Sequence, residues 1–176
     1  MPYLLGLLAL IAGAYFWAQR LRAAGQATQE IAGMANDVLA AARRFGFRRK
    51  LNTHPVDSLD DPDLAIAGAG MAFLELGGLP TAEQQDALAV SLQSHLSMSL
   101  ERANEALILG RWLVTECNGP EPGLTRLARR LYKMQGAESL APLMSVLKDV
   151  AAANRGGMSD KQREAIAEIG RLYRVS

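Results

Sequence analysis

Two histidines and a single cysteine are the side chains of this sequence best suited to nucleophilic catalysis or to binding a transition metal. Cys117 ends a predicted helix and has no histidine near it in the sequence that could activate its thiol. His95 lies on or beside the apolar side of another predicted helix, without metal-binding residues at a suitable spacing, so we expect a partly buried structural histidine. We interpret His54 as a linker residue.

A pair of glycines, Gly68 and Gly70, has the spacing that begins a dinucleotide-binding fingerprint. Phe73 occupies the position of the third glycine, and no predicted strand precedes the pair. We therefore attribute these glycines to close packing between helices. Any active site would have to be assembled from carboxylates scattered over several helices, so the sequence predicts no enzyme, no catalytic residue, no cofactor and no small-molecule substrate.

The amino-acid composition predicts an all-α protein. Hydrophobic residues make up 49% of the 176 residues but aromatic residues only 6%, and the surplus consists of alanine, leucine and methionine, which favour helices. A chain of this length suits one globular domain preceded by an anchor. Because the chain has a single cysteine, an intrachain disulfide is excluded.

Basic residues are concentrated at the beginning of the chain. Up to Lys50 there are seven basic residues against two acidic ones, whereas from Leu51 onward twelve basic residues stand against sixteen acidic ones. A basic arm therefore precedes a mildly acidic domain, and the arm is suited to anionic lipid headgroups. The near balance over the whole chain, 19 Lys and Arg against 18 Asp and Glu, gives no general attraction to nucleic acid.

Residues 1–18 are uncharged and predict a transmembrane anchor of about 27 Å in helical form. A cleaved signal peptide would have basic residues before the apolar run, but Arg20 and Arg22 follow it. These two arginines favour a single-pass protein of a bacterial inner membrane, with the N-terminus outside and the following domain in the cytoplasm. Interface anchors are expected at Tyr3, Tyr15, Phe16 and Trp17, and a small-residue contact side at Gly6, Ala9 and Gly13.

Residues 19–50 predict a basic amphipathic helical arm, and residues 51–61 predict a linker rich in Pro, Asp and Ser. The arm ends in a cluster, residues 43–50, in which Phe45 and Phe47 alternate with five basic side chains. This pattern leaves open a solvated helix end, a contact with anionic lipid or a contact with RNA. The lipid interpretation assigns headgroup contacts to Arg20, Arg22, Arg43, Arg44, Arg48, Arg49 and Lys50.

Residues 62–176 predict a domain of six helices. The first begins after Asp61 as N-cap and runs to about Leu76, the second follows Thr81, and the third spans about Leu100 to Glu116. The third is apolar nearly all round, so it is expected at the centre of the domain. The remaining helices are predicted at about 124–134 with one basic side, after Ser139, and after Ser159, whose spacing to Gln162 is that of a capping box.

Two glycine turns predict an internal duplication of the domain. Gly77-Gly78-Leu79 matches Gly156-Gly157-Met158, and each turn follows one predicted helix and precedes an amphipathic one. The segments LELGGLPTAEQ and AANRGGMSDKQ that contain these turns resemble the tellurite-resistance TerB-like family over roughly residues 62–173. The resemblance implies a pseudo-duplicated helical bundle, and a membrane segment ahead of it is similar to the arrangement in DjlA-type membrane co-chaperones.

The sequence departs from this family at the positions that would bind metal. In metal-binding members, turn acids are proposed to gather a divalent cation, but Leu76 and Arg155 stand where the two aspartates would be and Gln162 replaces one glutamate. Only Glu83 remains, with Glu75 next to a lost position, so no metal is predicted and these two are weak candidates. The co-chaperone J-domain is also absent, since His54-Pro55-Val56-Asp57 does not form the contiguous motif.

The sequence leaves three functions open. The first is a non-enzymatic, membrane-anchored module that binds a protein partner on the cytoplasmic face, and the family association implies a role in envelope stress. The second is an accessory or assembly subunit of a larger integral membrane complex. The third is a TerB-like sensor of a divalent metal.

Overall fold

The computed structural model describes residues 36–47, 52–154 and 156–175. The chain divides into two compact units, Met1–Leu39 and Ala40–Ser176. Only residues 36–39 of the first unit are described, and they belong to a helical stretch over 36–44. The predicted anchor, residues 1–18, lies outside the described residues. None of the helices that are described combines the length and the apolar character needed to cross a membrane.

The second unit is all-helical in its described part, as the composition predicts. We number its α-helices α1 (Pro62–Leu76), α2 (Ala82–Leu96), α3 (Leu100–Glu116), α4 (Pro120–Gln135), α5 (Leu140–Ala152) and α6 (Asp160–Val175). Two short 3-10 turns, Pro55–Ser58 and Gly136–Ser139, precede α1 and α5. The duplication inferred from the glycine turns stays a prediction.

Helix α1, and not α3, is the centre of the unit. It contacts all five other α-helices, most extensively α3 and α4, and nearly all of its side chains are buried. The expectation for α3 is wrong because its apolar residues do not all face the core: Leu100 is 56% exposed and Ile108 is 40% exposed. Apolar residues all round a helix favour burial, but the neighbours that surround α1 decide which helix is enclosed.

The interpretation of Gly68 and Gly70 as packing residues is confirmed. A Cβ atom on Gly70 would lie 2.7 Å from Leu88 Cδ1 of α2, and one on Gly68 would lie 3.2 Å from Leu127 Cδ1 of α4. On the facing helix α3, a Cβ atom on Gly110 would lie 3.0 Å from the Cα atom of Gly68. Small residues at these positions let the backbones of α1 and α3 approach closely, as the packing of a fully enclosed helix requires.

The predicted helix caps are also present. Asp61 accepts hydrogen bonds from the backbone N–H groups of Asp63 and Leu64 at the start of α1. Ser159 and Gln162 form the predicted capping box at α6. A second, unpredicted capping box is formed by Thr81 and Gln84 at α2. The fourth helix begins earlier than predicted, because Pro120 occupies its first turn, where a missing N–H costs no hydrogen bond, after Gly119 at φ +125°.

The segment predicted as a linker packs into the helical unit. Val56 and Leu59 are 0% and 1% exposed, and the 3-10 turn Pro55–Ser58 contacts α3 and α4. The Pro, Asp and Ser content is typical of a linker, but the two apolar side chains are buried against the helices. Residues 54–61 are therefore a structural part of this unit, and we call them the acidic turn because they carry Asp57, Asp60 and Asp61.

Candidate functional site: a charged cleft between α4 and α6

A cleft of about 940 Å³ lies between α4 and α6. His54 and Asp57 of the acidic turn, together with Glu116 and Cys117 at the end of α3, also line it. Most of its lining side chains are charged or polar. Small-molecule pockets are usually lined mainly by apolar and aromatic groups, and this lining differs from theirs.

Helices α4 and α6 run in the same direction along the cleft. Three contacts join them in the same order along both helices: Glu121 with Lys161 at 2.9 Å, Thr125 with Glu168 at 3.2 Å, and the rings of Tyr132 and Tyr173 at 5.1 Å between centroids. The Tyr173 hydroxyl is also 2.8 Å from Ser139 Oγ, and burial raises the pKa of this tyrosine. These contacts fix the spacing between the two walls.

The basic side of α4 is confirmed, and part of it is held by the acidic turn. Arg126 forms two hydrogen bonds with the Asp57 carboxylate, the shorter of them 2.5 Å long, and this hydrogen bonding lowers the pKa of Asp57. Arg130 donates to the Leu59 carbonyl and to Asp60 Oδ1. Both arginines therefore hold the segment before α1 in place on α4.

Two other basic side chains of α4 line the same cleft without a salt bridge to another described residue. Arg129 and Lys133 are exposed, and neither forms an ion pair with another residue that the structure describes. They lie one helical turn apart, so their side chains project from the same face of α4. This edge of the cleft is the part of α4 best placed to meet an anionic group of a partner.

The structure places His54 beside Cys117, which sequence reasoning did not anticipate. His54 Nε2 lies 4.0 Å from Cys117 Sγ and 3.1 Å from the Glu116 carbonyl oxygen. Its Nδ1 accepts a hydrogen bond from the Val56 backbone N–H, so in the neutral ring Nε2 carries the proton and donates to that carbonyl. Burial raises the pKa of Cys117, and His54 is no linker residue but a structural one that does not activate the thiol.

A second cluster, Ser91, His95 and Asp149, has the residue types of a catalytic triad but a different arrangement. Ser91 Oγ and His95 Nε2 both lie 2.8 Å from the same oxygen of Asp149. In a triad the serine bonds to the histidine, and the histidine bonds to the acid, so this cluster has no activated nucleophile. This cluster joins α2 to α5, and the hydrogen bond from Ser91 lowers the pKa of Asp149. The His95 side chain is 35% exposed, so it is partly buried as predicted.

The weak metal candidates stand on either side of the first glycine turn. Glu75 is near the end of α1, where burial raises the pKa of its carboxyl group, and Glu83 is an exposed residue of the first turn of α2. No group of three or more His, Cys, Asp or Glu residues in the described part of the chain is arranged to hold a metal ion. Gln162, which stands where the family has a glutamate, is 2% exposed and donates to the Phe73 carbonyl.

Part of the basic cluster predicted to meet lipid is docked on α3. We call residues 43–47 the basic segment. Arg44 Nη1 is 2.9 Å from Glu101 Oε1 and also contacts Glu105, and the Arg102 guanidinium lies 4.6 Å from the centre of the Phe45 ring. The rings of Phe47 and Trp112 meet edge to face at 5.8 Å.

A helix end positions the two phenylalanines of the basic segment. Phe47 N–H bonds to the Ala42 carbonyl and Gly46 N–H to the Arg43 carbonyl, the pattern of a Schellman motif with Gly46 at φ +63°. Of the predicted headgroup residues that are described, Arg43 is exposed and Arg44 is paired with the acids of α3. The others, Arg20, Arg22, Arg48, Arg49 and Lys50, lie outside the described residues, as do the anchor residues from Tyr3 to Trp17.

Comparison of the chain with protein-family models, with curated proteins and with solved structures found no match.

Proposed function

We propose that the chain is a non-enzymatic, membrane-anchored protein-interaction module with a pseudo-duplicated, TerB-like helical domain. Residues 1–18 hold it in a bacterial inner membrane, and the domain binds a protein partner on the cytoplasmic face, in the envelope stress response. The anchor is supported by the uncharged run and by Arg20 and Arg22 after it. A partner-binding role is supported by the charged cleft between α4 and α6.

The observation that carries this proposal is the difference among the basic residues of α4. Arg126 and Arg130 are held by Asp57, Asp60 and the Leu59 carbonyl, whereas Arg129 and Lys133 pair with no other described residue. Arginine is enriched in protein interfaces, and charged rims steer partners of opposite charge. An acidic segment of the partner is therefore the expected occupant of this edge of the cleft.

Affinity purification of the full chain from native membranes in mild detergent tests the proposal. We expect a stoichiometric partner that is lost from the double variant Arg129→Glu/Lys133→Glu. The matched control, Lys148→Glu/Arg171→Glu, makes the same change in charge at exposed positions outside the cleft and keeps the partner. A partner retained by the cleft variant, or the absence of any partner, would contradict the proposal.

A second candidate, an accessory subunit of an integral membrane complex, is favoured by exposed apolar residues. Leu79 is 96% exposed in the turn before α2, and Val90 on α2 is 58% exposed. Each of these side chains would be removed from water if another protein covered it, which is favourable. Co-purification of integral membrane subunits that survives the cleft variant but is lost on Leu79→Ser would support this function over the first.

A further inference from the structure

The basic segment is held on α3 mainly by contacts at the protein surface. Arg44 is 59% exposed and its partner Glu101 is 77% exposed, so solvent and salt screen this pair. The other acidic partner of Arg44, Glu105, has a side chain that is only 15% exposed. Two ring contacts, Phe45 under Arg102 and Phe47 against Trp112, complete the docking. Within residues 36–47, only Ala41, at 2% exposure, is buried. Because the Arg44 side chain itself is 59% exposed, an anionic surface can reach its guanidinium and compete with both acids for it.

The composition of this region suits a lipid surface. Residues 38–50 contain five basic residues, two phenylalanines and no acidic residue. Basic side chains next to an anionic leaflet gain electrostatic attraction, and aromatic rings favour the headgroup level. Glu101 and Glu105 offer Arg44 the same kind of partner that a phosphate group offers. The same segment thus has two competing partners, the acids of α3 and anionic headgroups.

We propose that α3 binds the basic segment and that anionic lipid competes with α3 for it. On an anionic bilayer, residues 43–47 leave Glu101, Glu105 and Trp112 and bind headgroups, which exposes the Trp112 face of α3. On an uncharged bilayer the segment stays docked. This inference rests on the proposed membrane anchoring, because the anchor keeps the segment close to headgroups.

The fluorescence of Trp112 reports whether the basic segment is docked on α3. The chain has two tryptophans, so the variant Trp17→Phe leaves Trp112 as the sole indole. The full chain is reconstituted in nanodiscs of phosphatidylcholine alone or in nanodiscs rich in phosphatidylglycerol, and quenching of Trp112 by acrylamide is measured. We expect quenching about twofold stronger in the anionic discs, because Phe47 no longer covers the indole.

Matched variants separate lipid competition from a merely structural contact. Arg43 is exposed and pairs with no other described residue, so Arg43→Glu weakens attraction to lipid without breaking the ion pairs of Arg44, and it should reduce the response to phosphatidylglycerol. Lys148→Glu makes the same charge change on α5 and should leave the response unchanged. Glu101→Gln/Glu105→Gln should give strong quenching in both kinds of disc.

The outcomes distinguish failure of this inference from failure of the proposed function. Equal quenching in the two kinds of disc, in a chain that co-purifies with them, would overturn the competition while leaving the anchor intact. Equal release by inorganic phosphate in phosphatidylcholine discs would also overturn it, since a lipid surface would then not be required. If the chain associates with neither kind of disc, the proposed anchor is wrong, and this inference, which rests on the anchor, is wrong as well.

Discussion

Gln162 Nε2 donates a hydrogen bond to the Phe73 backbone carbonyl over 2.9 Å, and this contact joins the two glycine turns of the domain. Ser159, the other half of the capping box, donates to the Leu76 carbonyl at 3.3 Å. Carbonyl groups in the last turn of a helix have no partner within the helix, so both side chains of the α6 cap also complete the end of α1. An amide can do this and a carboxylate cannot, because only the amide carries a donor.

We therefore expect Gln162→Glu to destabilise the protein by about 1–3 kcal/mol, since the substitution leaves a buried carbonyl without a donor and buries a carboxylate. Urea unfolding followed by circular dichroism measures the change. Glu164→Gln, the reverse substitution at an exposed position of the same helix, should change the free energy of unfolding little. Equal stability of Gln162→Glu and the unmodified chain would show that the Phe73 hydrogen bond is unimportant.

The close approach of α1 and α3 makes a prediction for two glycines. Gly110→Ala should destabilise the protein by about 1–3 kcal/mol, because the new Cβ atom would lie 3.0 Å from the Gly68 Cα atom and the backbones would have to separate. At Gly170 in α6 the nearest atom is 3.7 Å away and belongs to the flexible Arg174 side chain. Gly170→Ala should therefore stabilise by about 0.5–1 kcal/mol through helix propensity. Thermal unfolding of both variants measures the difference between their stabilities. If Gly110→Ala were as stable as Gly170→Ala, the α1–α3 contact would be loosely packed and the prediction would be wrong.

The Asp57–Arg126 pair predicts a loss of stability in acid. The hydrogen bond from Arg126 holds the pKa of Asp57 below its ordinary value of 3.8 in the folded protein. The pair therefore stabilises the fold above that ordinary value, and this contribution is lost as the pH falls through the lower, folded-state pKa. Because both side chains are more than one third exposed, we expect less than about 1 kcal/mol.

Urea unfolding of Asp57→Asn between neutral and acidic pH measures this contribution. The variant should be less stable than the unmodified chain at neutral pH. The difference should shrink as the pH falls below 3.8 toward the lower, folded-state pKa, because the carboxyl group of the unfolded chain takes up its proton first. Asp86→Asn, the same substitution at an exposed position of α2, serves as the control. A difference that is constant over the whole pH range would contradict the role of the ionised pair.

Cys117 should react slowly in the folded protein. Its side chain is buried and burial raises the pKa of the thiol, so alkylation by iodoacetamide should be roughly tenfold or more slower than in the unfolded chain. Mass spectrometry of the alkylated protein gives the two rates. His54→Asn should not slow the folded-state reaction, because His54 Nε2 donates to the Glu116 carbonyl. Slower alkylation of this variant would instead mean that the histidine activates the thiol.

The sequence alone determined the helical class, the first three helices and the caps formed by Asp61 and Ser159. Both side chains accept hydrogen bonds from backbone N–H groups two or three residues away, so the information for each cap lies within one helical turn. The basic side of α4 could also be predicted from the sequence, because side chains three and four residues apart share one face of a helix.

Only the tertiary structure decided which helix is enclosed, where the segment before α1 lies and which chemical groups meet. The contacts of His54 with Glu116, of Asp57 with Arg126 and of His95 with Asp149 join residues more than fifty positions apart. Such pairs have no local pattern, because packing of the helices brings them together. The charged cleft follows from the same cause: its two walls, α4 and α6, are separated in sequence by α5 and meet only in the folded bundle.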